Sequence, residues 1–521
     1  MSTLRTTSCP GCGAPLEFQS AATLLIVCDS CGGASYRSDV ALEFLGRVAE
    51  VAPIASPLEL HAEGRFEGRR FTVVGQVQLD HGAGPWNEWC LLLEDGRWAW
   101  YAEAQGDTLL TTAVAPLPAP LPPYDPLTAG TSIELAGKAY VVAEVGDARV
   151  TAVRGELPVR IGVGERRRYA DLSGAGDAFG TLDYGVGSTC EAVYLGRRVR
   201  PEELGLDPAK AAPAEKRVAA RKLSCPKCAG EITLRDPESM RVVCQSCGSL
   251  LAAGDERVNV LGVGAALKAR PKIPIGTRGT IAGTDAEVIA FLVRSVTVEG
   301  TRYAWQEYLL RTSRGAYRWL VEWNGHWSLL DPLALGSIQR AVAGVVVDGV
   351  RYRHFQRGKA RVDHVQGEVY WEVKVGEFVE SDDYVAPPRL LTIESSGKEQ
   401  NATAGRYVDR SEVEAAFRVE LPVPEGVAPG QPNPYEGQTG RWWGMGVISV
   451  VALLVFFAVV SSAQGDDSVG FVFPGLFMIA GLLIPPIVVS SRKQGFEVKR
   501  WADSDHPMMS SATFSDDDDE D

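Results

Sequence analysis

Cys9-Pro-Gly-Cys12, fifteen residues, then Cys28-Asp-Ser-Cys31 is a spacing the chain uses twice, returning as Cys225-Pro-Lys-Cys228, fifteen residues, then Cys244-Gln-Ser-Cys247. Two thiolates separated by two residues can bend round one ion, and a second pair about one short hairpin further on completes a tetrahedron. Glycine follows the second cysteine of a knuckle at Gly13, Gly32 and Gly248, with Ala229 the one departure. The backbone turns tightly around sulfur there and a Cβ interferes. Each block reads as a zinc ribbon, so two structural zinc ions are expected on Cys9, Cys12, Cys28 and Cys31 and on Cys225, Cys228, Cys244 and Cys247. Four sulfurs leave no open position for water, and a fold of roughly 25 residues needs such a staple because its core is too small. Disulfides fit poorly, since no signal peptide precedes the first pair.

Beyond the cysteines, the chain is 521 residues long, 45% hydrophobic and 23% charged, with a net charge of −14. This is the size of three or four domains. Six of the negative charges lie in the terminal run Asp516 to Asp521. The balance argues against a nucleic-acid surface, whose affinity rests on excess Lys and Arg. The local exception, Lys210, Lys216, Arg217, Arg221 and Lys222, reads as a solvated linker helix.

Between the ribbons lie short apolar runs broken by turns. Strands are expected at Phe71 to Val77, Trp89 to Leu93, Trp98 to Ala102, Ser132 to Leu135, Ala139 to Val145, Ala148 to Val153 and Pro158 to Val163. A helical connector is expected at Asp39 to Val48, and a Pro-rich bridge runs from Pro116 to Pro126. After residue 222 the arrangement begins again. Asp95 to Glu103 aligns without gaps on Arg314 to Glu322, and Ala148-Arg149-Val150, Gly155-Glu156 and Val163-Gly164-Glu165 return as Ala360-Arg361-Val362, Gly367-Glu368 and Val375-Gly376-Glu377. The chain is a tandem duplication of ribbon plus antiparallel β domain.

At these residues a resemblance can be named. Gly68-Arg69-Arg70-Phe71-Thr72-Val73-Val74-Gly75, Trp86-Asn87-Glu88-Trp89, Asp95-Gly96-Arg97-Trp98-Ala99-Trp100 and Tyr169-Ala170-Asp171-Leu172-Ser173-Gly174 resemble the bacterial domain-of-unknown-function family 4178. The likeness covers most of residues 60–205 and, more weakly, 275–420, where Ala286 and Arg318 depart from the pattern. It implies a β-rich domain often found beside zinc ribbons, in a setting shared with polyamine-synthase-like enzymes and small membrane proteins as partners. It brings no reaction with it.

If Asp95-Gly96 is a two-residue turn, Trp89, Leu91, Leu93, Trp98 and Trp100 share one core face, and Glu88 stands opposite Glu103, as Glu307 does opposite Glu322. Like charges across a ladder are unfavourable unless something offsets them. Either these four carboxylates hold a cationic group, a polyamine amine or an Arg of the same domain, or they sit at the open end of the hairpin, screened by water. Conventional catalytic sets are hard to assemble. The six histidines, at 61, 81, 326, 354, 364 and 506, fall in no metal or nucleophile motif, Cys90 and Cys190 read as inert thiols, and Gly174-Ala175-Gly176 lacks the Lys of a phosphate loop.

The C-terminal material is different. Trp442 to Ala463 is 22 residues without a charge and Val469 to Ser491 is 23 more. Either is long enough to span a hydrocarbon layer of about 30 Å. Arg441, Arg492, Lys493, Lys499 and Arg500 flank the pair while the short loop between carries only acid, so both termini are expected in the cytoplasm of a bacterial inner membrane. Pro474 and Pro485-Pro486 would bend the second span, and Gly444, Gly446 and Gly481 allow close helix contact, with homo-oligomerisation one use of that surface.

The expected order is zinc ribbon 1 (1–36), β domain 1 (55–205), linker (206–222), zinc ribbon 2 (223–252), β domain 2 (270–420), linker (421–440), transmembrane hairpin (441–491) and acidic disordered tail (492–521). The function expected is that of a membrane-anchored cytoplasmic adaptor or ligand-binding protein with protein partners. The alternatives are an enzyme, or regulator of one, acting on a small cationic metabolite such as a polyamine, and a nucleic-acid-binding ribbon protein.

Overall fold

The computed structural model describes residues 5–20, 22–37, 42–47, 56–81, 85–104, 107–118, 120–206, 221–234, 241–244, 249–253, 258–263, 270–298, 300–313, 315–369, 373–464 and 472–505. The expected zinc ligand Cys247, the basic cluster at Lys210, Lys216 and Arg217, and the acidic run after residue 505 lie outside them.

The chain is mainly β, and its two large antiparallel sheets each close on themselves. In the first, β1 (Arg69–Asp80), β2 (Pro85–Leu93), β3 (Trp98–Ala104) and β4 (Asp107–Ala113) form one meander, and β5 (Lys138–Leu157), β6 (Arg166–Gly174), β7 (Ala178–Gly185) and β8 (Ala192–Arg198) form another. Pairing of β4 with β8 and of β5 with β1 joins the two into an eight-stranded barrel. The second copy repeats this with β9 (Thr284–Val298), β10 (Thr301–Thr312), β11 (Tyr317–Trp323), β12 (His326–Leu333), β13 (Val350–Val369), β14 (Phe378–Ala386), β15 (Arg389–Ser395) and β16 (Gln400–Val408). It closes through β12 with β16 and β13 with β9.

Closure depends on glycine at the seams. A Cβ on Gly196 of β8 would stand 1.9 Å from the Leu110 carbonyl of β4, and one on Gly405 would stand 1.9 Å from that of Leu329. At the other seam Gly155 and Gly367 adopt φ of +68° and +93°, a region that costs other residues energy. These are the glycines of the Gly-Glu pair repeated in the sequence.

Both strands expected within residues 139–153 belong to one 20-residue strand, β5, long enough to serve two sheets. Its last residues leave the barrel seam and pair with the first cysteine block, Glu156 opposite Ile26 and Leu157 opposite Leu25. The three strands Leu25–Val27, Gly33–Arg37 and Leu42–Arg47 thereby extend the barrel sheet. In the second copy Val242 stands opposite Glu368 in the same way.

Two expectations fail here for the same reason, that tertiary pairing overrides local preference. Residues 42–47 form a strand against Gly33–Arg37 where a helical connector was expected. Pro158 to Val163 forms no strand, because Pro158 lacks a donor and the cysteine block has already taken the end of β5. Val159 and Ile161 instead pack into the apolar cluster shared by the cysteine block and the barrel.

The hairpin register also differs from expectation. Leu92 pairs with Trp98, and the Leu93 N–H donates to the Arg97 carbonyl, so the loop is Glu94-Asp95-Gly96, three residues with Gly96 at φ +82°. This is the type I turn with a left-handed glycine that suits three-residue hairpins. A one-residue change in register reverses every side chain. Glu88 therefore stands opposite Ala102, and Glu103 opposite Asn87. In the second copy Glu307 faces Val321 and Glu322 faces Gln306. The expected tryptophan face is split: Trp89 lies with Leu91, Leu93 and Tyr101 in one cluster, Trp98 and Trp100 with Cys90 in another.

Each barrel carries apolar clusters on its outer side. Phe71, Val73, Leu91 and Tyr101 are covered by Leu58, Leu204 and Leu206, while Tyr140, Leu172 and Leu182 are covered by Leu127 and Leu135. Each such side chain stabilises the fold by about 1.5–3 kcal/mol. With the outer face supplying the core, the inner face is free to be polar.

The expected linker after Pro422 is a packed strap. Val423 and Pro424 lie against Gly325, the Glu425 carbonyl lies 3.1 Å from His326 Nε2, and Asn433 donates to Glu497 Oε1 at 2.8 Å. Helix α1 (Arg410–Phe417) buries Val413 and Phe417 in the second barrel's outer core. Helices α2 (Gln438–Gln464) and α3 (Val472–Arg500) then pack together, with a Cβ on Gly446 only 3.4 Å from Pro486 Cγ. Of these helices α2 is long and apolar enough, over Gln438–Val459, to cross a membrane. Trp501, just past α3, is buried against Phe355 and Val385 of the second barrel.

Candidate functional site

The cysteine blocks bring their sulfurs together. Cys9, Cys12, Cys28 and Cys31 place their Sγ atoms within 4.8 Å of one another, as do Cys225, Cys228 and Cys244. Cys9 to Cys31 is 3.8 Å, Cys12 to Cys28 is 3.7 Å and Cys228 to Cys244 is 3.7 Å. A disulfide would need about 2.0 Å. The edge of a tetrahedron around an ion with metal–sulfur bonds of about 2.3 Å is roughly 3.8 Å, so the spacing fits a thiolate-bound metal. Backbone amides orient the sulfurs further, Gly11 N–H donating to Cys9 and Gly230 N–H to Cys228, both at 3.4 Å.

A second set of groups converges inside the first barrel. Glu88 on β2, Glu144 on β5, Asp171 on β6 and Asp183 on β7 all line one continuous cavity of about 2570 Å³ that reaches into the second barrel. The two barrels touch beside it, Gly176 N–H donating to Ser337 Oγ at 3.0 Å. Each acid alternates along its strand with outer-core residues, as Asp171 does with Ala170 and Leu172. Burial is the main influence on Glu88, Glu144 and Asp171. It raises Glu88 and Glu144 above the ordinary carboxylate range and pushes Asp171 up to about 8, with help from the neighbouring charges of Glu144 and Glu88. Neutral donors serve three of the acids: Trp86 Nε1 to Glu88 at 3.1 Å, Tyr169 hydroxyl to Glu144 at 2.6 Å, and Thr181 hydroxyl to Asp171 at 2.7 Å. Asp183 is held by Arg167 at 2.9 Å, and Arg167 also reaches Glu165 at 2.9 Å.

The second barrel repeats the set. Glu307, Asp383 and Glu394 occupy the positions of Glu88, Asp171 and Asp183, with Trp305 donating to Glu307 at 2.7 Å and Thr392 to Asp383 at 2.7 Å. Two positions differ. Gln356 stands where Glu144 does and donates to Asp383 at 3.0 Å. Arg294 stands where Leu79 does, opposite Trp305 as Leu79 is opposite Trp86, and its guanidinium bridges Glu307 (3.3 Å) and Glu394.

Of the four carboxylates singled out in the sequence, Glu88 and Glu307 thus belong to this interior set. Glu103 and Glu322 lie on the opposite face of their hairpins, Glu103 accepting from Trp89 Nε1 at 3.1 Å and Glu322 paired with Lys272 at 2.7 Å. Of the acids missed, Asp171, Asp183, Asp383 and Glu394 carried a signal in the repeat: an acid, a threonine about ten residues on, and a second acid two beyond it, once as Asp171-Thr181-Asp183 and again as Asp383-Thr392-Glu394, whereas Glu144, replaced by Gln356 in the second copy, carried none.

The fold and site define a class: a tandem pair of closed β-barrels with acidic interiors, each extended by a cysteine-rich block able to hold a metal. The chain belongs to the family described as Domain of unknown function (DUF4178), whose profile matches residues 60–201 and 274–410, together more than half of its length. No curated protein and no solved structure matches it.

Proposed function

We propose that this is a membrane-anchored ligand-binding protein, each barrel extended by a structural zinc ribbon, that takes a small cationic molecule into a barrel interior. The observation that carries the reading is the recurrence of one buried carboxylate set, with its tryptophan and threonine donors, in both copies. Burying charge without a partner costs several kcal/mol; Arg294 is that partner in the second copy, and a bound cation would be its counterpart in the first. A polyamine amine has this chemistry.

Zinc on the four-sulfur sites supplies structure alone, since all positions around the ion are taken. Anchoring is supported by the apolar surface of α2, where Val447, Ile448, Val451, Leu454, Val455 and Phe456 are all exposed. With α3 as a second span, the basic residues at the outer ends would keep both termini in the cytoplasm of a bacterial inner membrane, where free thiols persist.

The test is calorimetric titration of the full chain, purified in mild detergent, with spermidine, putrescine and a neutral polyol. Saturable heat with the amines and none with the polyol supports the reading, provided that Glu88→Gln weakens it at least tenfold. Equal heat from amines and polyol, or none from either, rejects it.

A further inference from the structure

The two interiors differ in one respect that bears on what enters them. In the second barrel the guanidinium of Arg294, itself 6% exposed, lies between Glu307 and Glu394. In the first, the matching side chain is Leu79, which has no charge to offer, and Arg167 reaches only Asp183 and Glu165 among the acids at hydrogen-bond distance. Among the described residues no Lys, Arg or His lies within ion-pair distance of Glu88, Glu144 or Asp171; their hydrogen-bond donors are the neutral Trp86, Tyr169 and Thr181. Ser173 gives an independent sign. It lies two residues from Asp171 on the same face of β6, lines the cavity, is 5% exposed, and its hydroxyl has no hydrogen-bond partner. A buried hydroxyl without a partner costs about 1–3 kcal/mol, which a polar ligand would relieve. Trp86 and Tyr169, with ring centroids 6.3 Å apart, add aromatic surface of the kind that attracts cations.

We propose that the first barrel is the ligand-taking one, receiving the guanidinium or ammonium head of a small molecule against Glu88, Glu144 and Asp171, and that the second is filled by its own Arg294. The second barrel is thereby an internal picture of the complex the first one forms. This rests on the reading that the interiors bind cations, and it adds which barrel does so, with what head group, and why only one.

The experiment uses the full metal-loaded chain in mild detergent, titrated calorimetrically at pH 8 with ethylguanidinium and butylammonium, with ethylurea as the neutral analogue of the first. One equivalent of cation per chain and no ethylurea is expected. Leu79→Arg, which gives the first barrel the side chain of the second, should abolish binding, and Arg294→Met should raise the stoichiometry toward two. Should Leu79→Arg fail to fold, Glu88→Gln decides, with at least a tenfold loss of affinity expected. Cation binding that survives Leu79→Arg in a folded protein, or Glu88→Gln where that variant fails, overturns the assignment to the first barrel while leaving cation binding standing. Absence of cation binding to the wild-type chain overturns both.

Discussion

The hydroxyl of Thr23, in the first cysteine block, donates to the carboxylate of Glu156, in the last turn of pairing of β5, at 2.5 Å. The other oxygen of that carboxylate accepts from the Gln19 N–H at 2.7 Å. Glu156 is 4% exposed and Thr23 is fully buried. One side chain therefore ties the cysteine block to the barrel, in the Gly-Glu pair whose second copy, Glu368, is also fully buried. Glu156→Ala should leave two donors unsatisfied and lower stability by about 2–4 kcal/mol. Urea unfolding measures this, and a change under 0.5 kcal/mol would contradict the tie.

Metal content gives the next prediction. Purified protein should carry two zinc ions, and Cys28→Ser should reduce this to one. Because the barrels have their own cores, chelation should expose residues 5–47 to protease while barrel fragments resist. Digestion of all parts at one rate would show that the blocks and barrels do not separate energetically.

Asp171 predicts a pH dependence. Its folded value near 8 lies above the unfolded value near 4, so the folded state keeps a proton that the unfolded state has released between them. Stability from this group is full below the lower value and falls by about 1.4 kcal/mol per pH unit until the upper one is passed. Glu88, Glu144 and Asp183 share the cavity with Arg167 and Tyr169, and the first two shift in the same direction. Asp171→Asn should therefore flatten the decline in melting temperature between pH 6 and pH 9. A variant whose decline parallels the wild type would refute the assignment.

Trp501 tests the docking of α3. Its ring is 5% exposed, packs on Phe355 at 5.5 Å and lies under the Arg353 guanidinium at 4.3 Å. Trp501→Ala should cost about 3–5 kcal/mol of local stability. Amide exchange should then quicken in β13 and β14 but not in the first barrel.

The sequence made some of this legible and hid the rest for physical reasons. The cysteine spacing is legible because it sets how the sulfurs converge, and the duplication shows as repeated Gly-Glu pairs because the seams need them. Closure itself was hidden, since the seam pairs β1 with β5 and β4 with β8 across 69–89 residues. Glu88 was found but given the wrong neighbour. An Asp-Gly pair serves both two- and three-residue loops, and only the strand pairing, Leu92 with Trp98, shows which was used. The strap after Pro422 read as linker because Pro and Gly obey the same local rules whether packed or free.

The end of β5 has one more consequence. Among the described residues its last two find strand partners only in the cysteine block, and the end of β13 pairs likewise with the second. Oxidation of these cysteines, or anything else that unfolds their blocks, would strip a flank from both barrels at once, leaving bare backbone that templates on another molecule in the same condition. Damage to sulfur would then be read out as clumping of chains whose barrels are still intact.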